Sequence, residues 1–248
     1  MVCGAKERSK SMSTKYYYNV TGKRRKALAK AVGSILEKPV DDAKAPSFTY
    51  TIDFCVLDRQ GVLSFPDGTN ADTIGELTGE LRKQGYSPEM TVNSRGALTV
   101  EVSRKDFDEQ ALDNLKKIIA SKKTVIKKAL KAKSLKLLIT EDAIQFPWFT
   151  LRGAEGEEEA YHHFVQALCN MAKKQKRVTA KEQESQNDKF TMRLFLVRLG
   201  LIGDEFHVTR KVLLSHLTGN GSWKAGYDPK KMAPKTSSKA PASSKQKP

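Results

Sequence analysis

The chain reads as α+β. A ferredoxin-like βαββαβ unit comes first, followed by a lysine-faced helix with a small hairpin, and then an all-α part of three helices. Three patterns carry this reading. Apolar residues alternate with polar ones over 48–57 and 97–102, the period of a half-buried strand. They recur at helical spacing over 70–84, 112–132 and 157–174. Turn formers separate these runs, among them Asp58, Gly61, Gly85, Gly200 and Gly219.

Each element has its own local cause. Residues 16–20 are aromatic and β-branched, which suits a short strand. Thr21 then caps a helix over 22–36, and Pro39 lies just beyond its end. In 48–57, Phe48, Tyr50, Ile52, Phe54 and Val56 fall on one side of a single strand. Thr49, Thr51, Asp53 and Cys55 fall on the other. The turn from Asp58 to Gly61 returns the chain as a hairpin strand over 62–65. Ile74, Leu77 and Leu81 give 70–84 a core face, with Gly85 at the stop. Residues 97–102 bury Leu98, Val100 and Val102. Residues 135–140 and 143–149 form a second hairpin. The helices that follow span 157–174, 189–199 and 204–217. This divides the chain into a flexible start at 1–15, an α+β domain at 16–150, a helical domain at 151–226 and a disordered basic tail at 227–248.

The helix over 112–132 is the most telling segment for function. At about 100° per residue, Lys116, Lys117, Lys123, Lys127, Lys128 and Lys131 share an arc roughly 140° wide. Leu115, Ile118, Ile119, Val125, Ile126 and Leu130 lie opposite. Asp106 or Asp108 caps its start, and the helix packs on the α+β domain. The whole chain of 248 residues carries a formal net charge of +16, for which nucleic acid is the default partner. Further basic clusters are Lys23, Arg24 and Arg25, then Lys176 and Arg177, then the tail. Residues 189–217 read either as a packing pair of helices or as a helix-turn-helix offering His207, Arg210 and Lys211 to a major groove.

Other classes find little support. No apolar run is long enough for a membrane span, and the first residues lack the apolar stretch of a secretory signal. Cys3, Cys55 and Cys169 are scattered, which fits a reduced, cytoplasmic setting without metal or other cofactor. His162 and His163 are adjacent, so they read as polar residues of a helix surface and not as paired ligands. No phosphate loop, nucleophile elbow or dinucleotide fingerprint is present, so the chain reads as no enzyme. A base-stacking sheet is also disfavoured. The open side of the strands would show Thr49, Thr51, Asp53, Cys55, Thr99, Glu101 and Ser103, with only Tyr17 to stack.

Several segments are distinctive as wording. They are Tyr16-Tyr17-Tyr18-Asn19-Val20-Thr21-Gly22, Phe146-Pro147-Trp148-Phe149, Lys176-Arg177-Val178-Thr179-Ala180-Lys181-Glu182, and the run from Phe195 to Gly203 with Arg210 to Leu214 and Leu217 to Asn220. In these the chain resembles the "virulence-related protein" family of Firmicutes phages, plasmids and integrative elements. The resemblance implies a mobile-element setting and carries no catalytic signature. The expectation is a nucleic-acid-binding accessory protein of a mobile genetic element, with DNA ahead of RNA. The alternative is a protein-binding anti-defence factor that inhibits a host CRISPR-type nuclease. Exposed sheet edges leave a homo-oligomer open.

Overall fold

A nine-stranded antiparallel sheet runs through the whole fold. The computed structural model describes residues 13–182 and 186–222. In chain order the elements are β1 (Thr14–Tyr17), α1 (Gly22–Leu36), β2 (Asp41–Asp42), β3 (Tyr50–Ile52), β4 (Cys55–Leu57), β5 (Val62–Phe65), α2 (Ala71–Lys83), β6 (Met90–Val92), β7 (Ala97–Ser103), α3 (Glu109–Ser121), α4 (Lys123–Leu130), β8 (Leu138–Ile139), β9 (Ala143–Thr150), α5 (Glu157–Lys174), α6 (Asp188–Arg198) and α7 (His207–Leu214). The strand order is β2-β3-β4-β5-β1-β6-β7-β9-β8. The tail at 227–248 and most of the 1–15 segment lie outside the described residues.

Two apolar cores sit on opposite faces of this sheet. Register partners share a face, and successive residues alternate faces. Tyr16 lies opposite Leu63 and Thr91. On that side Leu57, Leu63 and Phe65 meet Leu28 and Val32 of α1 and Ile74, Leu77 and Leu81 of α2. Tyr17 lies opposite Met90, and Met90 lies opposite Val100. On this second side Val92, Leu98, Val100, Ile144 and Phe146 meet the apolar faces of α3 to α7. The second core therefore does not divide at residue 150. α5, α6 and α7 close it together with the sheet, α3 and α4.

β7 and β9 are joined through an irregularity at Pro147. Val100 pairs with Phe146 and Leu98 with Phe149, so Thr99 alone stands opposite Pro147 and Trp148. Proline has no N–H for the ladder, and a bulge is where a strand tolerates it.

The structure departs from the sequence reading in several places. The run 48–57 is not one strand. It folds on itself as β3 and β4, with Asp53 and Phe54 between the partners Ile52 and Cys55. Asp53 has a φ of +50°, a left-handed backbone that a short polar residue accepts. The turn inverts the parity downstream. Cys55 and Leu57 point into the core, and Val56 is exposed. The open polar side expected to show both Asp53 and Glu101 is therefore absent: Asp53 lies in the turn and Glu101 is buried. The strand that follows α2 is the short β6, which inserts between β1 and β7.

The lysine-faced helix is two helices. It breaks at Lys122, whose φ and ψ are −127° and 16°. The Ser121 hydroxyl donates to the Ile118 carbonyl at 2.8 Å, offering the backbone a rival partner at the break. Lys122 and Lys123 add adjacent like charges, and the β-branched Thr124 follows. The last expected helix, 204–217, is shortened to α7.

Candidate nucleic-acid interface

α3 and α4 position the lysines by burying what lies between them. Asp108 caps α3, its carboxylate accepting the Ala111 N–H at 2.6 Å. Leu115, Ile118 and Ile119 are buried on α3, and Val125, Ile126, Ala129 and Leu130 on α4. Lys116, Lys123, Lys128 and Lys131 are consequently exposed, while Lys117 and Lys127 are half-buried. Two of these six are spoken for. Lys117 pairs with Asp113 at 2.6 Å and Lys128 with Asp188 at 2.7 Å. No ion pair to a described carboxylate engages Lys116, Lys123, Lys127 or Lys131.

Lys116 and Lys123 also border a groove of 410 Å³ between the α3–α4 junction and the segment 134–139. Lys136 joins them on its rim. Ile119, Leu135, Leu137 and Ile139 form its apolar lining, and no carboxylate lies among the lining residues.

The loop between α5 and α6 brings further basic residues alongside. Asn114 of α3 is buried, and its amide donates to the carbonyls of Ala172 at 3.2 Å and Gln175 at 2.5 Å. Farther on, the Thr124 N–H of α4 donates to Glu182 Oε1 at 2.7 Å. Gln175, Glu182 and Asp188 are thus fastened at Asn114, Thr124 and Lys128 respectively. Lys176 and Arg177 are exposed within that stretch, next to α3.

The remaining sequence candidates fall elsewhere. Lys23 and Arg24 are exposed in the first turn of α1, on the opposite face of the sheet from α3 and α4. Arg25 is a structural residue. Its guanidinium donates to the Phe48 carbonyl at 2.6 Å and the Asp58 carbonyl at 3.1 Å, and lies 4.6 Å from the Tyr50 ring centroid. Arg210 is likewise committed, donating to the carbonyls of Leu201 at 3.2 Å and Gly203 at 2.8 Å in the α6–α7 connector. His207 and Lys211 remain exposed. The same part of the chain exposes Leu194, Val197, Ile202 and Val208, each by more than 40%.

Sequence reasoning passed over a second, oppositely charged feature. A cleft of 710 Å³ opens where Asn19 and Met90 at the sheet end face the start of α5. Glu157, Glu158, Glu159, His162 and His163 line it. Although adjacent, the two histidines are both half-buried and face this one cleft. Glu89 Oε2 lies 3.3 Å from His162 Nε2 and accepts the Asn19 amide at 2.8 Å. The His162 hydrogen bond holds the Glu89 carboxyl below the usual range against the opposing effect of burial, and Asn19 assists. Tyr17 donates to Glu158 at 2.7 Å, and burial followed by that contact raises its phenol above the ordinary value. His163 Nδ1 lies 3.1 Å from the Thr209 hydroxyl. Among the described residues no group of three His, Cys, Asp or Glu side chains could hold a metal ion.

Two further polar features belong to the sheet itself. Glu101 is buried and forked by Arg82, with Nη2 and Oε2 2.8 Å apart, and the Gln145 amide donates to it at 2.9 Å. The hydrogen bond to Glu101 raises the already high Arg82 value. The buried Tyr18 hydroxyl has no hydrogen-bond partner among the described residues. Burial pushes the thiols of Cys55 and Cys169 up to about 12, which suits packing and not nucleophilic attack. No described helix is long and apolar enough to cross a membrane. No family model, curated protein or solved structure matches the chain.

Proposed function

We propose that the protein is a non-enzymatic, cytoplasmic nucleic-acid-binding accessory protein of a mobile genetic element, binding DNA ahead of RNA. The carrying observation is the convergence of Lys116, Lys123 and Lys136 on a groove whose lining holds no carboxylate. Lys127 and Lys131 continue that charge along α4, and Lys176 and Arg177 flank it from the α5–α6 loop. Such a surface binds phosphates by charge and counterion release, with little reading of base edges. The first part of the chain is read as a ferredoxin-like unit. The order β4-β5-β1-β6 with α1 and α2 on one face supports this.

The test is binding of the full chain to labelled duplex DNA, single-stranded DNA and RNA across a salt series. Tight binding with a steep salt slope is expected, tightest for duplex DNA. Reversing Lys116, Lys123 and Lys127 to glutamate should remove roughly three phosphate contacts and flatten the slope accordingly. Unchanged binding by that variant would overturn the assignment.

A second reading is a protein-binding anti-defence factor directed at a host nuclease. The exposed Leu194, Val197, Ile202 and Val208 favour it, because apolar side chains contribute little to phosphate binding. A partner retained on the protein after thorough nuclease digestion would select this reading.

A further inference from the structure

The two edges of the sheet are treated differently. At one edge β2 presents Asp41 and Asp42, both exposed, and charge at an edge discourages another strand from pairing there. At the other edge β8 presents Leu138 and Ile139, exposed by 44% and 40%. No described element covers its outer side.

The register fixes which backbone groups β8 offers. The Thr140 N–H donates to the Ala143 carbonyl at 2.9 Å and the Ala143 N–H to the Thr140 hydroxyl at 3.1 Å, so the Thr140 N–H faces β9. Ile139 faces Ile144 and Leu138 faces Gln145. Bonded and non-bonded pairs alternate in an antiparallel ladder. Leu138 therefore bonds toward β9, and the N–H and C=O groups of Leu137 and Ile139 point outward. The Trp148 indole donates to the Lys136 carbonyl at 3.0 Å, on the inward side, which agrees with this parity and fastens the segment.

Leu135, Leu137 and Ile139 stand at alternate positions and line the 410 Å³ groove together with Ile119. An open row of backbone groups thus runs beside an apolar groove rimmed by Lys116, Lys123 and Lys136. We infer that β8 and this groove form a docking site for an extended segment of a protein partner, rich in aliphatic and acidic residues, which joins the sheet as a further strand. Its main chain bonds to Leu137 and Ile139, alternate aliphatic side chains enter the groove, and carboxylates flanking that run meet the three lysines at the rim.

The probe is a labelled synthetic peptide with a short run of leucine alternating with threonine, flanked at both ends by glutamate. Its control replaces glutamate with lysine. Anisotropy titrations of the full chain should show binding of the acidic probe alone. Binding should bring new amide-exchange protection at Leu137 and Ile139. Ile139→Pro removes an outward N–H at an edge that tolerates proline, and should weaken binding about tenfold. The double variant Lys116→Glu, Lys123→Glu should exchange the preference toward the lysine probe. Lys116 and Lys123 serve both ligands, so peptide should compete with DNA. Ile139→Pro should leave duplex DNA binding intact, whereas Lys127→Glu with Lys131→Glu should weaken DNA binding and spare the peptide, so the two readings fail separately. Absence of binding, equal binding of both probes, or indifference to Ile139→Pro would overturn the proposal.

Discussion

Tyr16, Tyr17 and Tyr18 are three identical side chains with three fates set by strand parity. Tyr16 faces the core under α1 and α2, and Tyr17 reaches through the other face to Glu158. Tyr18 is buried, and its hydroxyl has no hydrogen-bond partner among the described residues. Removing such a group relieves its desolvation cost, so Tyr18→Phe should stabilise the fold by about 1 kcal/mol. Chemical denaturation would measure this, and a loss of stability would reveal a partner for the hydroxyl. Glu89 offers a pH-dependent prediction. Its folded value is depressed by His162, so its contribution is present above the range of a free carboxylate and is lost as the pH falls through the folded value. Glu89→Gln should therefore lower the melting temperature at neutral pH. The gap from the parent should close on acidification, and a gap independent of pH would refute the linkage.

At the scale of elements, α1 and α5 have the bounds that local signals dictate. A glycine-opened basic run before a proline, and a triple glutamate leading an apolar stripe, are both contiguous in sequence. The split of β3 from β4 was hidden because apolar alternation continues through the turn itself, with Phe54 occupying a turn position. The short β6 carries too few residues for a period to show. The lysine surface was legible as a helical arc, and so was the Lys117–Asp113 pair at i,i+4 spacing, but the break at Lys122 and the loss of Lys128 to an ion pair depend on geometry and on a distant Asp188. The acidic cleft was illegible for the same reason, since it gathers Asn19, Glu89 and His162 from three parts of the chain. Asn114 makes the element-scale prediction. Asn114→Leu leaves the carbonyls of Ala172 in α5 and of Gln175 just beyond it without that donor, and should cost about 1–3 kcal/mol. Amide exchange should rise first at the end of α5. Unchanged stability would mean the amide is dispensable.

At the scale of the whole molecule, the sheet is covered on one face along one half and on the opposite face along the other. The second core depends on helices from both sides of residue 150. A fragment of residues 1–150 should therefore expose Val100, Ile144, Phe146 and Trp148 and aggregate without a cooperative thermal transition. Size exclusion and a melting curve would decide this. A monomer that melts sharply would show that α3 and α4 suffice.

α5 also has an electrical meaning. Its first turn carries Glu157, Glu158 and Glu159, its last carries Lys173 and Lys174, and Lys176 and Arg177 follow. The eighteen-residue helix is about 27 Å long and holds these groups at its two ends. Opposite charges held that far apart on a rigid rod form a large electric moment. In the field of a polyanion the protein experiences a torque before any contact forms, turning the lysine end forward and the glutamate cleft away. Orientation would then be settled during approach, so added salt should slow association more than it hastens release.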